Sequence, residues 1–284
     1  MTLLRTIYLA PILLLTVGLT SCGSSAAPIP NLPANLNGNW SMGGNRALRQ
    51  YPVLSTALIV TGDQITAQGD MLVPCTNKPD SAVGSAFSLS GPIAADGTFQ
   101  LTQSFNRAIT VVLNGSVPKD ATGWSGSITT TDSPGFSGCV STQTNAFVAT
   151  PLAPLNGTYT GTLAGTAFGT GVNVSLQISQ GASATVIRSS AFDFEYVPLN
   201  ATITVLGSTC FKQGTTASKD SISNGSSIAG DLINLNLIMD DTSTLMVTGW
   251  LDDSSQTTIS HASFTRHSFG NCSNSTASAT LSRQ

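Results

Sequence analysis

Leu36-Asn37-Gly38-Asn39-Trp40 and Leu155-Asn156-Gly157-Thr158-Tyr159 are two versions of one short motif, and each opens one half of the chain. Each motif is followed by two cysteines, which lie 64 residues apart in the first half and 62 apart in the second. Repetition at a similar spacing is the signature of a duplicated structural unit. The sequence therefore predicts two copies of one fold, over residues 36–150 and 155–284, joined by a short linker over residues 151–154.

Both halves show the alternation of apolar and polar residues that is typical of β-strands with one buried face. Residues 99–102 alternate in this way after an Asp96-Gly97 turn signal, and residues 233–237 alternate between aliphatic residues and asparagine. The run 111–113, followed by Asn114-Gly115, predicts a further strand that ends in a turn. No strong helical period occurs outside the first 21 residues. We therefore predict an all-β protein with two tandem antiparallel β-barrel or β-sandwich domains.

The segment Gly38-Asn39-Trp40 resembles the Gly-x-Trp opening of the lipocalin and calycin barrels. The resemblance implies a barrel in which Trp40 plugs one end. The second half departs from this pattern, because Tyr159 stands in the tryptophan position. An immunoglobulin-like sandwich is the alternative, since the separation of the cysteines also fits that fold.

The N-terminal segment has the organisation of an export signal. Arg5 precedes an apolar run of 13 residues, which is too short to span a bilayer as a helix. The run ends at Leu19-Thr20-Ser21-Cys22, which resembles the lipobox of bacterial lipoproteins. The resemblance implies that residues 1–21 are removed as a signal peptide and that the Cys22 thiol is acylated with palmitate or a similar chain. The alternative is an ordinary secretory signal followed by an unmodified cysteine.

An acylated Cys22 predicts a membrane anchor, because two or three acyl chains hold a protein firmly at a bilayer. Gly23 follows Cys22 where an aspartate would favour retention at the inner membrane in the best-known envelope systems, so we predict the outer membrane. Residues 22–35 are rich in small residues and proline, which predicts an extended, flexible tether. The sequence thus predicts an exported, lipid-anchored protein of the cell envelope.

With Cys22 assigned to lipid, four cysteines remain, and four cysteines allow three disulfide connectivities. Exported proteins fold where disulfides form and persist. Because each half contains its own pair, the repeat predicts the bridges Cys75–Cys139 and Cys210–Cys272. The alternatives are free thiols or metal ligands, but no pair has the Cys-x-x-Cys spacing of a zinc site. We therefore predict two disulfides and no metal site.

The composition argues against several classes of partner. Only 9% of the residues are charged and the formal net charge is −3, so no basic stripe is present for nucleic acid. No phosphate loop or dinucleotide motif occurs, and we expect no cofactor. The remaining partners are the membrane, through Cys22, and a small-molecule, glycan or protein ligand.

The sequence contains no complete catalytic pattern. His261 and His267 are the only histidines, and no Gly-x-Ser-x-Gly elbow accompanies them. Asp193 and Glu195 alternate on one predicted strand at a spacing compatible with a glycosidase pair, but the simpler interpretation is a solvated strand face. We therefore predict no catalytic residues and a protein that is not an enzyme.

Two pairs of adjacent carboxylates, Asp240-Asp241 and Asp252-Asp253, flank the predicted strand 245–251. Either pair supplies oxygen atoms of the kind that bind Ca²⁺, but the Asp-x-Asp-x-Asp-Gly pattern of a calcium loop is absent. Aspartate is also a common residue in turns, where it caps backbone N–H groups. We therefore predict that both pairs are turn residues.

The combined observations predict a non-enzymatic envelope lipoprotein whose tandem β domains bind a small apolar ligand, a glycan or a protein. Trp40, Trp124 and Trp250 are the aromatic candidates for ligand contact, although Trp40 is better explained as a core residue. The first alternative is a structural or assembly role in the envelope, with exposed strand edges as the contact surface. The second is a hydrolase whose site has no recognisable pattern.

Overall fold

The structure, a computed structural model, describes residues 36–44, 51–75, 78–103, 109–118, 122–132, 143–181, 185–188, 193–216, 225–252, 255–267, 272 and 275–284. It describes the backbone alone for residues 74, 75, 78–86, 103, 109, 132, 185–188 and 193–196. The predicted signal peptide, Cys22, the tether and Cys139 lie outside the described residues. Every regular element in the described ranges is a β-strand.

No helix in these ranges has the length and apolarity needed to cross a membrane.

The first half of the chain forms a closed barrel of eight antiparallel strands in sequential order, in which β8 pairs with β1. The strands are β1 (Gly38–Gly43), β2 (Val53–Thr61), β3 (Gln64–Cys75), β4 (Lys78–Pro92), β5 (Thr98–Gln103), β6 (Ile109–Ser116), β7 (Trp124–Asp132) and β8 (Gln143–Pro151). We call the end at which the first strand of a barrel begins its lower end, and the opposite end its upper end.

The second half forms another ring of antiparallel strands. They are β9 (Asn156–Thr162), β10 (Asn173–Gln180), β11 (Thr185–Arg188), β12 (Asp193–Leu206), β13 (Gln213–Thr216), β14 (Ser227–Ala229), β15 (Leu232–Met239), β16 (Thr244–Leu251), β17 (Thr258–His267) and β18 (Thr276–Arg283). β10 pairs with both β9 and β12, which closes the ring. β10 and β11 pair with successive parts of β12, so together they hold one position in the ring. β13 and β14 likewise share the position between β12 and β15. The ring therefore has eight positions, as in the first barrel.

The structure confirms the predicted all-β fold and internal repeat, and it selects closed barrels over sandwiches. The predicted turn at Asp96-Gly97 is also confirmed, since Ile93 pairs with Phe99 across it. Asp96 accepts hydrogen bonds from the hydroxyl and the backbone N–H of Thr98, at 2.6 and 3.0 Å. These bonds hold the pKa of the Asp96 carboxyl below its ordinary value.

The predicted turn at Asn114-Gly115 is wrong, because β6 continues through both residues. Gly115 is required inside the strand for a packing reason: a Cβ atom there would lie only 2.3 Å from Cζ of Phe99. The glycine thus makes room for an aromatic ring of the neighbouring strand.

The cysteines occupy equivalent places in the two barrels. Cys75 ends β3, so it lies where the chain passes from the third strand of the first barrel to the fourth. Cys210 lies between β12 and β13, which hold the third and fourth positions of the second barrel. In the sequence Cys139 stands between β7 and β8, and Cys272 stands between β17 and β18. The structure shows the predicted Cys210–Cys272 disulfide, with 6.2 Å between the Cα atoms. The predicted Cys75–Cys139 bridge lies outside the described residues, and it remains a prediction.

The two opening motifs close the lower ends of the barrels in similar ways. Trp40 is buried in the first barrel, and its indole N–H donates to the carbonyl of Leu36 at 2.9 Å. Tyr159 is buried in the second barrel, and its hydroxyl donates to the carbonyl of Gln256 at 2.9 Å. Burial raises the pKa of Tyr159, although the Arg283 charge opposes this shift. In both barrels an aromatic ring fills the lower end and its polar atom satisfies a backbone carbonyl.

The lower end of the second barrel packs against the outer wall of the first. The two-residue turn Gly230-Asp231, between β14 and β15, rests on the backbone of β2. The Ser55 hydroxyl donates to the Asp231 carboxylate, and the Asn39 amide donates to the Gln180 side chain at 3.5 Å. β2 is therefore buried on both faces, with its inward side in the first core and its outward side under the second barrel.

We expect the Gly230→Ala substitution to open this junction. A Cβ atom at residue 230 would lie 2.4 Å from the Thr56 backbone nitrogen and 2.5 Å from the Ser55 Cα, and neither backbone atom can yield cheaply. Loss of the Ser55–Asp231 contact should lower the free energy of unfolding by about 1–3 kcal/mol. The left-handed backbone at an alanine lowers it further. Small-angle X-ray scattering should show a larger radius of gyration than in the native protein.

Gly62→Ala is the matched control for this substitution. Gly62 also opens a two-residue Gly-Asp turn, between β2 and β3, and its φ of 63° is close to the 59° of Gly230. Nothing lies within 4 Å of a Cβ at residue 62, so this variant carries the backbone cost without a clash. An unchanged radius of gyration in both variants would contradict the assigned contact.

Candidate functional site

The interior of the first barrel is filled by aromatic and aliphatic side chains. Trp124 lies at the lower end with its ring centroid 6.0 Å from Trp40, 5.2 Å from Phe99 and 5.3 Å from Phe147. All four rings are buried and belong to one contiguous core. The tryptophans at residues 40 and 124 are therefore core residues of the described barrel.

Two polar atoms show how tightly this interior is packed. The Thr56 hydroxyl and the Trp124 indole N–H face the core, and neither has a hydrogen-bond partner within the described residues. Both atoms are also fully buried, so no water has room beside them. Such groups cost about 1–3 kcal/mol each when buried unpaired, and buried water usually relieves this cost where space exists. The described interior is thus dry and close-packed around these atoms.

The upper end of the second barrel is closed by an ion pair above two aromatic rings. Phe168 and Phe211 pack with their centroids 5.3 Å apart, and the Arg266 guanidinium lies 5.5 Å from the centre of the Phe211 ring. Arg266 is buried, although it is charged, and it forms a salt bridge with Asp241. Its Nε also donates to the Ser243 hydroxyl at 3.2 Å.

Asp241 is held ionised by these neighbours. Burial alone would raise the pKa of its carboxyl, but two hydrogen bonds from Ser243 and the charge of Arg266 outweigh that effect. The net pKa lies below the ordinary value of 3.8. The Ser243 bonds, from the hydroxyl at 2.5 Å and the backbone N–H at 3.1 Å, place Asp241 in the turn between β15 and β16. Its neighbour Asp240 accepts a hydrogen bond from the Lys212 backbone N–H at 3.2 Å.

The most distinctive surface feature lies on the outer wall of the second barrel. Trp250 of β16 is partly exposed, and the exposed imidazole of His261 in β17 stacks on its indole with 4.7 Å between centroids and 18° between planes. Sequence reasoning treated these two residues separately, and the structure brings them together. We call this pair the aromatic platform.

A β-bulge creates the platform. Thr248 pairs with Ser263 and Trp250 pairs with Ser260, so Gly249 alone faces the two residues His261 and Ala262. The bulge also interrupts the pairing of β17 with β18. His261 adopts a left-handed backbone with φ of 47°, which costs about 1–3 kcal/mol in a residue other than glycine. Bulges re-aim side chains, and this one directs the imidazole over the indole.

The groups beside the platform do not form a hydrolase triad. The Ser260 hydroxyl donates to the carboxylate of Asp252, and Ser260 is itself buried. A triad needs the serine to be hydrogen-bonded to the histidine base, whereas His261 packs on Trp250. His267 is exposed six residues further along β17. Residues 123–127, Gly-Trp-Ser-Gly-Ser, come nearest to a Gly-x-Ser-x-Gly elbow, but they lie mostly within strand β7 and not in a strand-to-helix turn.

Two shallow grooves lie on another part of the same wall, near the upper end. One has a volume of about 320 Å³ and crosses β9, β10 and β12, and the other has about 450 Å³ and crosses β12, β13 and β15. Thr204 borders both grooves, and Leu206 and Ile238 are exposed at their margins. Threonine is the commonest residue lining both grooves, aliphatic residues lie beside it, and no aromatic residue is among the lining residues.

The other predicted site residues fall as follows. Asp193 and Glu195 belong to β12, where their backbones pair with Arg188 and Val186, and their side chains lie outside the described part. Asp253 also lies outside it. Within the described residues, no group of three or more histidine, cysteine, aspartate or glutamate residues is placed to hold a metal ion.

Comparison with known proteins adds no relative: no protein-family model matches the chain, and no curated protein matches it significantly.

Proposed function

We propose that this protein is a non-enzymatic, lipid-anchored component of the bacterial cell envelope that binds its ligand on the outer walls of its barrels. The lipobox at residues 19–22 supports the anchor, and the proline-rich tether gives the barrels clearance from an outer membrane. In the described structure His261 stacks on Trp250 and Ser260 donates to Asp252, and this arrangement supports a binding role over hydrolysis.

One observation carries the choice of the outer wall over the barrel interior. Proteins that carry a ligand inside a barrel keep an internal cavity for it. Here Thr56 and Trp124 leave polar atoms without partners, and even these atoms have no room for a water molecule. In the second barrel, Phe168, Phe211 and Arg266 close the upper end, and Tyr159 closes the lower end. The described interiors therefore serve stability, and the described exposed features lie outside.

Mass spectrometry of the protein extracted from its own membranes tests both parts of the proposal. The denatured mass should show acyl chains on a chain that begins at Cys22. The native mass should equal the denatured mass, because we expect no small apolar molecule to be bound. An unmodified Cys22 would contradict the anchor, and a co-purifying apolar ligand that is lost on denaturation would contradict the outer-wall assignment.

The Ala67→Leu substitution provides an independent check of the packed interior. Ala67 is fully buried in the core of the first barrel, so a larger side chain should cost about 1–3 kcal/mol by overpacking. Ala94→Leu, at an exposed position beside the β4–β5 turn, is the control and should cost little. Urea unfolding measures both. An Ala67→Leu protein as stable as the native one would reveal free space inside the barrel.

A further inference from the structure

At the aromatic platform, a strained backbone places the exposed imidazole of His261 on the indole of Trp250. His261 lies in the left-handed region, and Gly249 opposite it cannot carry a side chain, since a Cβ would lie 2.9 Å from Ile259 Cγ2 and 3.2 Å from the Ala262 Cα. The Ser260–Asp252 hydrogen bond ties the bulge to the end of β16. Strain of this kind persists only where surrounding structure holds it, and it concentrates at binding sites.

The wall next to the platform offers hydrogen-bonding groups without charge. One row along the wall consists of Asn234, Thr248 and Ser263, which pair across β15, β16 and β17. Along β15 and β16 this row lies two residues from the row that contains Trp250, and along β17 it lies three residues away because of the bulge, so both rows share the outer face. All three residues are partly exposed, although the Asn234 side-chain oxygen itself is buried and has no hydrogen-bond partner in the described structure.

This combination matches the chemistry of a sugar ring. A pyranose has one apolar face of C–H groups, which packs on an aromatic surface, and a rim of hydroxyls, which exchange hydrogen bonds with amides and hydroxyls. A phosphate or another anionic group would instead need a cation, and no lysine or arginine belongs to the platform or to the polar row. The chemistry therefore favours a neutral saccharide.

We propose that the outer wall of the second barrel binds a neutral oligosaccharide, with one pyranose ring on the Trp250–His261 platform and its hydroxyls at Thr248 and Ser263. The inference rests on the proposed outer-wall function and names the ligand class of one site. The left-handed backbone at His261 holds the imidazole over the indole, so the exposed imidazole, supported by the indole beneath it, is the stacking surface.

Nuclear magnetic resonance of the mature chain tests the proposal with maltotriose, cellotriose and chitotriose as probes. The three tryptophans give three indole N–H signals, and a Trp250→Phe variant identifies the signal of Trp250. A trisaccharide at millimolar concentration should shift the Trp250 signal and leave the signals of the buried Trp40 and Trp124 unchanged. The absence of any shift with all three sugars would overturn the proposal.

Two histidine variants separate the platform from general surface effects. His261→Ala removes the stacked ring and should weaken the binding of the responding sugar about tenfold. His267→Ala, an exposed residue of the same strand, should leave the affinity unchanged. Equal affinity of the native and His261→Ala proteins would overturn the role of the paired rings. The mass of the protein extracted from its membranes does not depend on saccharide binding. Failure of the saccharide proposal is therefore distinguishable from failure of the proposed function.

Discussion

Replacement of both Cys210 and Cys272 by serine is expected to lower the free energy of unfolding of the second barrel by about 4 kcal/mol. The bridge joins residues separated by 62 positions, and it links the β12–β13 connection to the β17–β18 connection. A crosslink over such a long loop restricts the unfolded chain strongly, and its removal restores that freedom. Because a domain is stable by only about 5–15 kcal/mol, this is a large fraction of the total.

Hydrogen exchange in increasing urea measures this loss barrel by barrel. Backbone amides of β15 to β18 report on the second barrel, and amides of β2 and β3 report on the first. In the double-serine variant, protection should fall in the second set and remain in the first. The Cys75→Ser, Cys139→Ser pair should produce the reverse pattern if those cysteines are bonded. Unchanged protection of β17 in the first variant would contradict a stabilising role for Cys210–Cys272.

The Asp241→Ala substitution is expected to destabilise the second barrel by about 3 kcal/mol, although Asp241 lies near the surface. Its partner Arg266 has a side chain that is 6% exposed, whereas that of Asp241 is 32% exposed. Removal of the carboxylate therefore takes a close counter-charge away from the buried guanidinium, and breaking such a pair typically costs about 3–5 kcal/mol. Asp240→Ala, in the same turn, is the control and should cost less than about 1 kcal/mol, because Asp240 is exposed.

Replacement of the cation should behave differently from replacement of the anion. Arg266→Met puts an apolar chain of similar length against Phe211, so we expect a loss of about 1 kcal/mol or less. The double variant Asp241→Ala, Arg266→Met should resemble the single methionine variant, because the buried charge is gone. Urea unfolding of the four proteins completes the cycle. Additive losses would contradict the assigned pairing.

The same pair predicts how stability depends on pH. The pKa of Asp241 in the folded protein lies below its ordinary value of 3.8, so the folded state binds the Asp241 proton less readily than the unfolded state. The stabilisation from Asp241 is therefore fully present above about pH 4 and is lost as the pH falls through the lower folded value. An Asp241→Asn variant should lack this part of the acid-induced loss.

Local sequence patterns predicted much of this architecture for a physical reason. A strand with one buried face must alternate apolar and polar residues, and the tight loop between Ala94 and Thr98 needs a residue such as Gly97 that tolerates a positive φ. The repeated motif at Trp40 and Tyr159 predicted a duplicated fold, and the separate cysteine pairs predicted Cys210–Cys272. The failure at Asn114-Gly115 has an equally physical cause, because that glycine accommodates the ring of Phe99 from another strand.

The candidate sites depended on contacts that no local pattern encodes. Trp250 and His261 are 11 residues apart in the sequence, and they meet because β16 and β17 pair with a bulge between them. Arg266 alternates correctly for an inward position, but its partner Asp241 is identified only when the upper end of β17 is placed beside the β15–β16 turn. The docking of Gly230 on β2 likewise joins residues from different barrels.

The sequence by itself determined the strand periodicity, the duplication and one cysteine pairing, because these depend on neighbouring residues or on spacing along the chain. Export and acylation of Cys22 remain predictions from the same kind of local pattern. Tertiary structure alone decided that the sheets close into barrels, that Thr56 and Trp124 face a packed interior, and that His261 stacks on Trp250. Closure and register depend on the pairing of strands distant in sequence, and the side chains that meet across them are chosen by the whole fold.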